Sequence, residues 1–213
     1  AAACAAAGRP PDSVRLLAVS KTHGPEAVRA AAAAGQVLFG ENRVQEAAAK
    51  MPECPVHLQW HLIGHLQRNK AAQAAQLFDW VHSVDSIKLL EALDRHAAEA
   101  GRRLDVLVQV NVSGERSKSG LAPEGLPAVL ARGNELANVQ VRGLMTIPPL
   151  TEDPERARPH FRALRELRDR WAAELGMDLD ELSMGMTHDL DVAIGEGATI
   201  VRVGTAIFGE RAR

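Results

Sequence analysis

The sequence contains no tyrosine, and aromatic residues make up only 3% of it. A phenol is therefore unavailable for proton transfer, which would fall to other groups. Lysine is scarce, confined to Lys21, Lys50, Lys70, Lys88 and Lys118. The two cysteines, Cys4 and Cys54, lack C-x-x-C spacing, which argues against a thiolate metal site. A bridge between them stays open, beside the plainer reading of two free thiols. No apolar run approaches the ~18 residues of a membrane span. Neither sign of charge dominates: the formal net charge is -2, so the overall field favours neither nucleic acid nor an anionic membrane. His57 and His61 are four apart on an expected strand and not in H-E-x-x-H, so no metal site is expected. Walker A and G-x-S-x-G motifs are also missing.

What is present is the balance of one globular domain. Hydrophobic residues make up 46% of 213, and charged residues 24%. With no linker and no shift in composition, residues 1–213 read as a single domain. Ala1 to Ala7 is almost pure alanine and ends at Gly8, like the last turns of a helix closed by a glycine cap. No methionine opens the chain, so an N-terminal part is expected to be missing, with the first helix cut short.

Short apolar runs alternate with amphipathic stretches. Strands are expected at Leu16–Ser20, Val37–Gly40, His57–Gly64, Trp80–Val84, Leu104–Val110, Val139–Met145, Leu182–Met184 and Thr199–Val203. Helices are expected from Pro25 to Gly35, Asn42 to Lys50, Leu66 to Leu77, Pro123 to Leu136 and Asp189 to Ile194, with a last turn near Thr205. Asp85 would cap another that stops at Gly101. Asp153 and Pro154 start the longest, whose Phe161, Leu164, Leu167, Trp171 and Leu175 share one face as core packing. Eight such units predict an α/β fold closed as a (β/α)8 TIM barrel. A doubly wound open sheet is the alternative, weakened because no G-x-G-x-x-G follows the first strand.

In such a barrel the site lies at the C-terminal ends of the strands. Lys21 comes two residues after Val19, on the same strand face. If that face is the interior, its ammonium is costly unless paired or neutralised, and lysines so placed form Schiff bases. A lysine that snorkels from the barrel mouth is the other reading. Lys50 and Lys88 fall on helices, where a solvated face is expected. Lys118 sits in a loop with Glu115 and Arg116. Arg202 is flanked by apolar residues on its strand and needs a carboxylate or a ligand as partner. Two candidate phosphate cradles follow the last two strands: Ser183 to Thr187, and Gly204-Thr205. Ordinary turn chemistry would account for each loop alone.

Seven motifs occur in order: AVSKT around Lys21, FGENRVQE around Asn42, WHLIGHLQRNK, VNVSGE, GLMTIP, SMGMT at Ser183 to Thr187, and VRVGTAIFG around Arg202. Together they resemble the pyridoxal phosphate homeostasis protein family, whose barrel is similar to the N-terminal domain of alanine racemase. The resemblance implies pyridoxal 5′-phosphate (PLP) held on Lys21, Arg202 near the pyridine nitrogen, and Asn42 beside the ring. It implies phosphate binding by Ser183, Thr187, Gly204 and Thr205. Thr187 stands where the family usually has serine, which keeps the hydroxyl. The C-terminal Phe208 to Arg213 lacks the tyrosine often found there.

The resemblance also implies a cytoplasmic, often monomeric carrier of the cofactor, with apo-enzymes as conceivable recipients. An amino-acid racemase is the competing class. Related racemases use a lysine and a tyrosine, the latter supplied with a second domain; this sequence has no tyrosine and no room for that domain. A cation beside the pyridine nitrogen would also weaken the ring as an electron sink. A barrel binding some other phosphate ester without covalent capture is the third reading, and it would lose little without Lys21.

Overall fold

Runs of aliphatic and β-branched residues between polar turns form the eight strands. They are β1 (Arg15–Val19), β2 (Leu38–Glu41), β3 (Gln59–Leu62), β4 (Trp80–Val84), β5 (Leu104–Gln109), β6 (Val139–Met145), β7 (Glu181–Met186) and β8 (Ile200–Val203). In the computed structural model, which describes residues 1–115 and 118–210, these strands close into a barrel. Arg116 and Arg211 to Arg213 lie outside the described residues. Each strand pairs in parallel with the next, and β1 pairs with β8 through Arg15–Ile200 to Ala18–Val203. Closure leaves no strand edge unpaired, so the alternative of an open sheet does not hold.

The helices are α1 (Ala2–Ala6), α2 (Pro25–Ala33), α3 (Val44–Lys50), α4 (Ala71–Leu77), α5 (Ile87–Glu99), α6 (Leu126–Glu135), α7 (Arg158–Leu175), α8 (Leu190–Gly195) and α9 (Thr205–Phe208). α1 ends as its sequence suggests. Gly8 is left-handed (φ 64°), and the Gly8 and Arg9 amides donate to Ala5 O and Cys4 O at 3.0 and 2.8 Å. Arg9 then anchors the turn, donating to Ile194 O and Ala198 O at 2.9 and 2.7 Å.

Several boundaries differ from expectation. The cap of α5 is Ser86, not Asp85: Ser86 has the extended backbone a cap requires, and its Oγ accepts from the Leu89 amide at 3.3 Å. Asp85 instead lies 3.5 Å from His65 Nδ1. Asp153 caps a single 3-10 turn, Pro154–Ala157, that leads into α7. α3 starts at Val44, which leaves Asn42 in a loop. Cys4 and Cys54 are buried and unbridged.

Two apolar layers follow from the two-residue period of a strand. Leu17, Val19, Ile63, Leu107, Met145 and Ile200 pack inside the barrel. Ala18, Phe39, Leu62, Val106, Leu144 and Val201 pack outward against the helices, with Phe161 and Leu164 of α7. At the N-terminal strand ends the interior is ionic. Arg15 meets Glu181 at 2.6 Å and lies over the Trp80 ring, and Arg142 meets Asp105 at 2.8 Å.

Candidate cofactor site

The C-terminal strand ends surround a cavity of about 730 Å³, a size suited to a small ligand. Lys21, two residues past the end of β1, forms part of the cavity wall, half-buried, with His23 beyond it. His23 stacks on Phe208 of α9, which joins the first loop to the last. Asn42 enters the wall after β2. Gly64 allows this, because a Cβ there would fall 2.2 Å from the Asn42 carbonyl oxygen.

Arg202 on β8 lines the cavity but is only 4% exposed. Its guanidinium is held at both ends: Nη1 donates to Ser183 Oγ at 2.8 Å and Nη2 to Thr146 O at 2.9 Å. Burial pulls its pKa down to about 10, opposed by Asp189. It therefore remains a cation at neutral pH.

Beneath Arg202 runs a polar chain. Ser183 Oγ lies 3.0 Å from His82 Nδ1, and His82 Nε2 lies 2.9 Å from His61 Nδ1. Burial drives both imidazoles down, His61 to about 3 and His82 well below its usual range. Both are neutral at pH 7. Because Ser183 Oγ accepts from Arg202, its hydroxyl proton suits His82 Nδ1, and His82 Nε2–H then suits His61 Nδ1. His61 Nε2 is buried without a partner, and the Trp80 ring stacks on the imidazole at 5.4 Å.

More of the lining comes from the loops after β7 and β8. Asp189 Oδ1 accepts from the Met186 amide at 2.7 Å and shapes the first loop. Thr187 from that loop and Gly204 and Thr205 from the second line the cavity, with both threonines exposed. His188 Nε2 meets Glu152 O at 3.1 Å and links this rim to the segment after β6.

Six of the seven site residues expected from sequence thus line one cavity: Lys21, Asn42, Thr187, Arg202, Gly204 and Thr205. Ser183 is set apart. It is fully buried and its oxygen is engaged by Arg202 and His82. The sequence reading missed His61 and His82. A polar residue inside the apolar run Trp80-Val81-His82, in phase with an inward Trp80, was the available signal. It also misplaced Lys50, which is buried against Glu41 at 2.5 Å and not solvated. Among the described residues no group of His, Cys, Asp and Glu is placed to hold a metal.

The family model "Alanine racemase, N-terminal domain" matches residues 3–212. A Pseudomonas aeruginosa protein named Pyridoxal phosphate homeostasis protein is 52% identical, over 98% of this chain and 90% of its own length. The chain belongs to the pyridoxal phosphate homeostasis proteins. The Aquifex aeolicus protein of that name is 47% identical over 98% of this chain and 92% of its own. PipY of Synechococcus elongatus PCC7942, solved without PLP, is 45% identical with a TM-score of 0.90, covering 97% of each chain. PipY solved with PLP bound gives a TM-score of 0.89. Alanine racemase of Clostridium difficile 630 shares the fold, with a TM-score of 0.77 at 14% identity over 96% of this chain and 54% of its own. Homeostasis protein and racemase therefore share a barrel, and the fold leaves their chemistry to be argued from side chains.

Proposed function

We propose that this chain binds PLP as a Schiff base on Lys21 and acts in intracellular vitamin B6 homeostasis without catalytic turnover. The observation that carries this reading is the meeting of Lys21 with a buried, still-charged Arg202 in one cavity rimmed by Thr187, Gly204 and Thr205. The donor set fits the group: an amine for an aldehyde, a fixed cation for a ring nitrogen, and hydroxyls and backbone amides for a phosphate. The family's name and the PLP-bound PipY relative support the same cofactor. When bound, PLP supplies an electrophilic aldehyde and an electron-withdrawing ring. Arg202 would face the ring nitrogen, Asn42 would line the ring, and Thr187, Gly204 and Thr205 would hold the phosphate. Ser183 would act beneath Arg202 and not on the phosphate itself.

The carrier reading rests on what flanks the amine. No tyrosine exists to serve as a second acid–base group. His61 and His82 are absent from the cavity wall, and the histidines that line it are engaged elsewhere, His23 on the Phe208 ring, His65 with Asp85 and His188 with Glu152 O. Arg202 keeps its proton and so disfavours a proton on the ring nitrogen. Among the described residues no helix is long and apolar enough to cross a membrane. A cytoplasmic monomer that passes its cofactor to apo-enzymes completes the reading.

The deciding experiment incubates wild type and Lys21→Ala with PLP and records the visible spectrum before and after borohydride. Wild type should show a band that reduction traps, and the variant should not. No trapped band in either protein would overturn covalent capture. Racemisation of added amino acids by the wild type would overturn the carrier reading alone.

A further inference from the structure

α3 ends on Lys50, where a cation suits the helix C-terminus, yet the Lys50 side chain is only 5% exposed. Its ammonium turns inward, donating to Ser20 O at 2.9 Å and to Glu41 Oε1 at 2.5 Å, with Glu46 Oε1 at 3.3 Å. Ser20 Oγ donates to the same Glu41 oxygen at 2.6 Å. Glu46 also accepts from the Thr22 amide. The carbonyl before Lys21 and the amide after it are thus held by one network, from Lys50 and Glu46 respectively.

Two features say that this network does more than fill space. Thr22 is left-handed (φ 68°), a conformation a β-branched residue adopts only when its surroundings over-determine it. Glu41 is fully buried and its Oε2 has no partner. Burial raises its pKa against the pull of Lys50 and Ser20. A buried ion pair with an orphan oxygen is a poor way to stabilise a core that apolar residues could fill. The network also stands outside the cavity, since Glu41, Glu46 and Lys50 are not in its wall.

We propose that Lys50, Glu41 and Glu46 are positioning residues that clamp the peptide groups flanking Lys21 and so aim its amine into the cavity. The proposal rests on Lys21 as the residue of covalent capture. There Lys21 Nζ forms a C–N bond to the aldehyde carbon with loss of one water, a step sensitive to the amine's placement.

Glu46→Ala is the first variant, since Glu46 is partly exposed and the fold should tolerate its loss. Glu46→Gln keeps an oxygen that accepts from Thr22. The double variant Lys50→Met/Glu41→Leu removes both buried charges together. Capture is followed by the visible band after mixing with PLP. Cavity binding is followed by titration with pyridoxine 5′-phosphate, which carries an alcohol in place of the aldehyde. Amide exchange of the segment from Ser20 to His23 is read in the protein without ligand.

Glu46→Ala and the double variant should exchange faster in that segment and capture PLP about 10- to 100-fold more slowly. Their affinity for the alcohol should be unchanged, and Glu46→Gln should restore both exchange and capture. Unchanged capture in both variants, or an equal loss of alcohol binding, would overturn the positioning role. No capture by wild type would overturn the Lys21 reading and this one together. Normal wild-type capture with unaffected variants overturns this one alone.

Discussion

Arg202 is where charge, burial and ligand chemistry meet at one residue. Its two terminal nitrogens reach Ser183 Oγ and Thr146 O, which only a forked guanidinium can do at once. Arg202→Met should weaken PLP binding about 10- to 100-fold, the loss of one charged hydrogen bond with its positioning. Arg202→Lys should not recover it, and a spectroscopic titration of both variants checks this. Arg202 and Lys21 were legible in sequence because each is a cation where apolar neighbours make a cation costly. Lys50 was illegible for the opposite reason. A lysine on a helix is ordinary, and its partners Ser20 and Glu41 lie 30 and 9 residues away.

At the scale of elements, α7 does more than its apolar stripe implies. Arg158, Arg162 and Arg165 share a second face and each approach Glu196, just past α8, at 3.1 Å. Burial pushes the Glu196 carboxyl up, but the Arg162 and Arg158 hydrogen bonds outweigh it and its pKa is lowered. A depressed carboxylate lends stability above its unfolded pKa and loses it as pH falls through the folded value. Glu196→Gln should therefore cost about 1–3 kcal/mol near neutral pH and less in acid, as urea melts at several pH values would show. The contact of β6 with β7 is less forgiving. Gly143 (φ 157°) sits so close to β7 that a Cβ would fall 1.9 Å from Glu181 O. Gly143→Ala should fail to give folded protein, read by yield and circular dichroism. The helix face of Glu196 was hidden in sequence because the apolar period explained α7 without it.

For the whole molecule, the buried pair His61 and His82 ties stability to pH. Burial lowers both, His61 from 6.5 to about 3. Between those values the unfolded chain binds protons that the folded chain refuses, so stability falls as pH drops through that window. Melting temperatures measured from pH 7 to pH 4 should decline. His82→Gln, which removes one of the two titrations, should flatten the decline even if it lowers the plateau. A slope unaltered by the substitution would locate the acid sensitivity elsewhere.

Short apolar strands alternating with helices already dictate eight βα units, because two-residue and helical periods are local properties of the chain. The same local reading singles out Lys21, Thr187, Arg202, Gly204 and Thr205, since barrel topology puts strand ends on one face, and the family resemblance adds Asn42. Closure decided the rest. Ser183 meets Arg202 across the neighbouring strands β7 and β8, but only closure brings His82 of β4 across the barrel to Ser183, an inner position. Only the packing of α3 on β2, beside Ser20 just past β1, turns Lys50 from a surface charge into a buried one. Burial and partnership depend on residues distant in sequence, and no local pattern carries that information.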